Sequence, residues 1–280
     1  MNKIHIFSTA RSGTHYLESL ISGMRDIPIV PSPFEERDDE NRPGSQELIN
    51  NINEFSAIDS MVYKTHPNWL FPIDKTVDQF KYCTVPNDDM LPLVQQLTEV
   101  ADYTIGLIRL NIVEVALSFA LAFHNWRIDP SEIGSFRPPY KNTTVAIPMN
   151  DFVEYCNKVL AMYEVMIAQT VIQCDKIVYY EDLSFDTTDS MRAGIGPSKN
   201  KKMTMKEMPS AVQLQWTGTH AIPSSVKQAK SKKITIANYD ELHEYAVKFF
   251  TANQKLHTMS IANGVITDIN ITNLKKGTRI

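Results

Sequence analysis

Short apolar runs alternate with amphipathic stretches along most of the chain. Ile4-His-Ile-Phe-Ser8 is apolar and β-branched and predicts a strand. Thr14 to Met24 then spaces Leu17, Leu20 and Ile21 on one face of a helix. Ile27–Val30 reads as a second strand, ending in Pro31-Ser-Pro33, and Ser45–Ile52 as a short helix. Further strands are predicted at Ser60–Thr65, Tyr103–Ile108 and Lys176–Tyr180. Helices are predicted at Leu91–Val100, Asn111–Trp126, Phe152–Val171 and Glu241–Ser260, with a closing strand at Gly264–Ile271. Residues 128–149 hold four prolines and little periodicity, so they read as a long loop or lid, and 184–233 as irregular. Strands alternating with helices imply an α/β fold with a mostly parallel sheet covered on both faces. There is no internal repeat and no clean linker, so residues 1–280 are expected to form one domain.

Composition narrows the classes without naming one. The 280 residues are 43% hydrophobic and 21% charged, as in ordinary globular chains. A net charge of −4 argues against a nucleic-acid partner. No stretch is apolar enough to span a membrane, and the opening residues lack a signal peptide's apolar core. Cys83, Cys156 and Cys174 are odd in number and match no metal spacing. The expectation is a cytoplasmic protein with reduced thiols, no membrane partner and no metal. Nothing in the sequence argues against a homo-oligomer.

The chemistry is concentrated in two segments. Phe7-Ser-Thr-Ala-Arg-Ser-Gly-Thr-His15 joins the first strand to the first helix. Amides at such a helix start, with the helix dipole, favour an anion. Gly13 allows close approach, Arg11 offers a two-pronged donor, and Ser12 and Thr14 add hydroxyls. An ordinary strand–helix turn would use the same hydroxyls as caps. The pattern Gly-x-x-x-x-Gly-Lys-Ser/Thr is absent, as is Gly-x-Gly-x-x-Gly, which disfavours standard ATPases, GTPases and nicotinamide enzymes. In the second segment Arg109 ends a predicted strand, at the sheet edge where α/β folds bind ligands, and Ser118 follows within the next helix. Either residue could equally serve packing: Arg109 with a structural carboxylate, Ser118 between helices.

Taken together, Arg11-Ser-Gly-Thr14, Arg109 with Ser118 nine residues on, and Val178-Tyr-Tyr-Glu-Asp-Leu183 resemble the PAPS-dependent sulfotransferase family. The segment from Arg109 to Ser118, followed by Trp126, is closest to its bacterial trehalose-type and phage-encoded branch. The motifs cover residues 1–185. Residues 186–280, with a lysine-rich irregular segment, a helix and a tail, carry no clear copy of the animal enzymes' C-terminal element; Arg192-Ala-Gly-Ile-Gly196 is a faint echo. The resemblance implies a P-loop-like three-layer fold. It also implies transfer of a sulfuryl group from 3′-phosphoadenosine 5′-phosphosulfate, PAPS, to a hydroxyl of a carbohydrate or other small acceptor. Arg11, Ser12, Gly13, Thr14 and His15 would hold the 5′-phosphosulfate, and Arg109 and Ser118 the 3′-phosphate.

Sulfuryl transfer also needs a proton acceptor. The bacterial branch uses a glutamate after the second strand, and Pro33-Phe-Glu-Glu36 matches that context. Glu35 is the first choice and Glu36 the second, against the bland reading of a solvated acidic loop. His66 is an alternative base, and Lys64 an electrostatic clamp, both at a strand end. Lys199–Lys233 holds eight lysines and one acid, either a mobile solvated loop or a patch for an anionic group. Two other functions stay open: a P-loop-type small-molecule kinase, and a catalytically silent nucleotide-binding or assembly protein of the same fold.

Overall fold

The computed structural model of the chain describes residues 2–33, 45–67, 73–74, 81–82, 91–128, 144–168, 174–182, 236–254 and 259–269. Four strands form one parallel sheet: β1 (Lys3–Ser8), β2 (Met61–Thr65), β5 (Tyr103–Ile108) and β6 (Lys176–Tyr179), in the order β2-β1-β5-β6. Ile4 pairs with Val62 on one side and Tyr103 on the other, and Ile105 pairs with Lys176. A short ribbon, β3 (Ile73–Asp74) with β4 (Lys81–Tyr82), and a hairpin, β7 (Met259–Ala262) with β8 (Val265–Ile269), stand apart.

Both faces of the sheet are covered, which is why β2 and β5 are buried at every position. On one face Ile4, Ile6, Val62, Ile105, Leu107 and Val178 pack on α1 (Thr14–Arg25) through Leu17, Leu20 and Ile21. The other face carries Phe7, Met61, Tyr63 and Ile108. These join a larger core from α2 (Ser45–Ser56), α3 (Leu91–Glu99), α4 (Ile112–Ile128), α5 (Met149–Ala168) and α6 (Tyr239–Ala252). Met259, Ile261 and Ile266 of the hairpin belong to this second core. The expected α/β class with a parallel sheet flanked by helices is therefore present. Among the described residues, no helix is long and apolar enough to cross a membrane. Cys156 and Cys174 are buried free thiols.

Three expectations are corrected. Ile27–Val30 is not a full strand: only Ile29 bridges Val62, because Pro28 and Pro31 lack the N–H that would extend the ladder. The last helix ends at Ala252 rather than Ser260, and residues 259–262 are β7. The signal was Asn263-Gly264, the pair that favours a tight hairpin turn; both have positive φ, at 51° and 75°. The first helix turn of α5 begins at Met149, inside the expected loop. Its neighbour Ile147 is buried, with its N–H donating to Asn238 Oδ1 and its carbonyl accepting from Asn238 Nδ2. Residues 129–143 and 183–235, including the lysine-rich segment, lie outside the described residues, as does Cys83.

Gly106 in β5 tests the packing. A Cβ there would lie 2.5 Å from Ile177 Cδ1 and 3.0 Å from Cys174 Sγ. Gly106→Val is expected to cost about 2 kcal/mol through overpacking. A urea titration should show the midpoint shifted down with the slope retained.

Candidate functional site

The sheet order puts a crevice at one place. β2 lies to one side of β1 and β5 to the other, so the loops leaving β1 and β5 diverge at the carboxyl edge. Ligands of open α/β sheets bind at this switch point. The loop after β1 contains two left-handed residues, Arg11 at φ 68° and Gly13 at φ 86°. Left-handed residues set among right-handed ones form concave amide surfaces suited to anions. Gly13 is the N-cap of α1 and supplies no side-chain cap, and the first turn carries no acidic residue. The start of α1 is thus left electropositive.

Hydroxyl groups hold this loop from behind. Ser8 Oγ lies 3.0 Å from Thr14 Oγ1, and Thr9 Oγ1 lies 2.5 Å from Ser12 Oγ. Both Ser12 and Thr14 are buried. Their hydroxyls bond within the loop. Tyr163 of α5 is fully buried beneath them, in hydrogen-bond contact with Thr9 and Ser12, and its hydroxyl donates to the Arg109 carbonyl at 2.7 Å. One phenol therefore ties together the loops after β1 and β5. Burial raises its pKa, so it stays protonated.

The start of α4 is the opposite of the start of α1. Asn111 Oδ1 accepts from the Glu114 N–H at 3.0 Å. The two carboxylate oxygens of Glu181 accept from the Leu110 and Asn111 amides at 2.9 and 3.0 Å. These amides are satisfied by the protein itself, and Glu114 adds negative charge to the first turn. An anion placed at this crevice would meet the amides of α1 and the side chain of Arg109, while the Leu110 and Asn111 amides already bond Glu181.

The two arginines converge. Arg11 Nε donates to Ser118 Oγ at 3.0 Å, joining motif residues 107 positions apart. Arg109 Nη1 donates to the Arg11 carbonyl at 3.4 Å. Burial and the charge of Arg109 pull Arg11 down to about 10, so it remains charged at neutral pH. Arg109 stacks over the Tyr180 ring at 4.6 Å and has Glu114 Oε2 at 3.8 Å. Tyr239 of α6 donates to the other Glu114 oxygen at 2.8 Å. Tyr180 also meets the loop: a Cβ on Gly13 would lie 2.4 Å from Tyr180 Cε2.

The end of β2 closes the crevice. Lys64 is buried and donates to buried Glu18 of α1 at 3.1 Å. Exposed His15 places Nδ1 3.5 Å from Lys64 Nζ and 3.4 Å from Glu18 Oε2. His66 donates from Nδ1 to the Ser8 carbonyl at 2.8 Å. Its pKa is lowered to about 3, mainly by burial, with Lys64, His15 and Arg11 adding repulsion. The ring is neutral, and with Nδ1 carrying the hydrogen, Nε2 is the nitrogen that can take a proton.

Arg11, Ser12, Gly13, Thr14, His15, Lys64, His66, Arg109 and Ser118 are thus gathered at one sheet edge. Glu35 and Glu36 lie outside the described residues. Sequence reasoning did not identify Tyr163, Glu18 or Glu114, which read as helix residues without a motif, nor Tyr239, which lay just before the helix expected from Glu241. It noted Tyr180 and Glu181 only as a family element. No cluster of His, Cys, Asp or Glu suited to a metal occurs among the described residues. Compared with protein-family models, with curated proteins and with solved structures, the chain finds no match.

Two measurements test the site. Gly13→Ala combines an unfavourable φ with a collision against Tyr180, and should lower stability by about 1 kcal/mol or more in a urea titration. His66 has a clear pH signature. Unfolded, its imidazole binds a proton below about 6.5; folded, only near 3. Between these values the unfolded chain holds more protons, so acidification lowers stability. His66→Gln should flatten that part of the stability–pH curve measured by chemical denaturation.

Proposed function

We propose that this chain is a PAPS-dependent sulfotransferase with a P-loop-like three-layer fold. The observation that carries this reading is the meeting of Arg11, Arg109 and Ser118 at the switch point, beside an uncapped helix start that lacks acidic residues. Two guanidinium groups held this close repel one another, and a ligand bearing two separate anionic groups relieves that repulsion. PAPS is such a ligand. Its 5′-phosphosulfate lies on the amides of residues 11–15, and its 3′-phosphate meets Arg109, with Ser118 alongside.

The reaction is an in-line displacement. The acceptor hydroxyl attacks sulfur as the sulfur–oxygen bond to the 5′-phosphate breaks. Negative charge gathers on the leaving phosphate, where the start of α1 and Arg11 stabilise it. The acceptor proton passes to a base. His66, a neutral imidazole with its tautomer set by the Ser8 carbonyl, is one candidate; burial, the main cause of its lowered pKa, opposes that role, and a bound polyanion would offset only the added repulsion from Arg11 and Lys64. Glu35 is the carboxylate the family resemblance implies. The acceptor is a carbohydrate or another small hydroxylated molecule, and no metal takes part.

Isothermal calorimetry with adenosine 3′,5′-bisphosphate tests the reading. Wild type should bind in the micromolar range, and Arg11→Ala and Arg109→Ala should each weaken binding by about tenfold or more, as expected for losing a charge-assisted bond. Absence of wild-type binding, or binding by both variants as tight as wild type, refutes it. Binding without sulfuryl transfer to a panel of sugars and phenols identifies a silent binding protein instead. His66→Gln and Glu35→Gln separate the bases: the true base loses turnover and keeps nucleotide affinity.

A further inference from the structure

We propose that the C-terminal hairpin is the positioning element for Arg109, and that the turn residues Asn263 and Gly264 thereby set the enzyme's selectivity for a nucleotide carrying a 3′-phosphate. This inference rests on the sulfotransferase reading and extends it to a part of the chain without family motifs.

The hairpin is joined to the segment that follows Arg109. The Ile266 N–H donates to the Leu110 carbonyl at 2.9 Å, and the Val113 N–H to the Gly264 carbonyl at 3.5 Å. Asn111 and Val265 form an antiparallel bridge. Glu181 holds the Leu110 and Asn111 amides from the side of β6, and Tyr163 holds the Arg109 carbonyl from α5. The hairpin adds support at the Leu110 carbonyl and the first turn of α4. The fit at its tip is close. A Cβ on Gly264 would stand 2.3 Å from Val113 Cγ2 and 3.2 Å from Val247 Cγ2, and its φ of 75° is unfavourable for any side chain. Asn263, at φ 51°, is of a type that tolerates this region, whereas alanine is not.

The hairpin's bonds go to Leu110, Asn111 and Val113, and it reaches the loop after β1 only indirectly, through Tyr163 and the Arg109–Arg11 bond, so loosening it disturbs Arg109 first and the amides of α1 less. The consequence is selective. Adenosine 3′,5′-bisphosphate uses both anion subsites, and adenosine 5′-monophosphate uses only the first.

The test is calorimetry of both nucleotides on the full chain, with Gly264→Ala and the milder Asn263→Ala. Gly264→Ala should lose about tenfold or more in affinity for the bisphosphate, the scale of a misplaced charge-assisted bond. Its monophosphate affinity should stay within about twofold. Asn263→Ala should change in the same direction by less, and serves alone if Gly264→Ala does not fold. A folded variant whose bisphosphate-to-monophosphate affinity ratio matches wild type overturns the inference, as does a parallel loss of both affinities. Wild type that binds neither nucleotide removes the sulfotransferase reading, and this inference with it; that result is distinct from a wild type that binds while the ratio does not move.

Discussion

The bond from the Arg109 side chain back to the loop that carries Arg11 is the contact on which the rest of the site depends. Arg11 and Arg109 come from loops separated by most of a hundred residues, and their guanidinium groups repel in a half-buried crevice. Neither loop is helical or extended, so neither could hold such a position alone. Tyr163 is the tie between them, through the Arg109 carbonyl on one side and Thr9 and Ser12 on the other. Tyr180 is the spacer, lying where a Gly13 side chain would stand and stacking under Arg109. A buried phenol and a half-buried one thus contact both arginine-bearing loops.

The same constraint explains the contrast between the two helix starts. If both α1 and α4 opened amides to the crevice, two equivalent anion sites would compete. Glu181 and Asn111 satisfy the start of α4, so its contribution is the Arg109 side chain alone. The start of α1 has no such cap. Glu114 and Tyr239 extend the arrangement outward: the tyrosine holds one carboxylate oxygen while the other stays 3.8 Å from Arg109, a weak counter-ion. At the far side, Glu18 neutralises buried Lys64, which keeps an ammonium group near the loop at tolerable desolvation cost.

Much of the fold was legible because the signals were local. Strands β1, β2, β5 and β6 are short apolar runs buried on both faces, and helices such as α1 carry apolar residues at regular spacing. Boundaries failed where local and tertiary signals disagree. The periodicity of α6 continues past Ala252, yet Ile261 is drawn into a hairpin by the positive φ values at Asn263 and Gly264. Val30 and Val62 do exchange a backbone hydrogen bond, but flanking prolines keep that contact from becoming a strand.

For the site, residue order along the chain determined the candidates: an arginine, a serine and a glycine between a strand and a helix, and an arginine ending another strand. What order could not determine is contact. That Arg11 meets Ser118, that Ser12 and Thr14 turn their hydroxyls inward, and that Tyr163 and Glu181 bind backbone rather than ligand follow from sheet order β2-β1-β5-β6. That order places the ends of β1 and β5 side by side and brings β6 next to β5. Motifs record which chemistry is available within a few residues, whereas pairing between distant strands decides which of those groups share one crevice and which are used to hold it together.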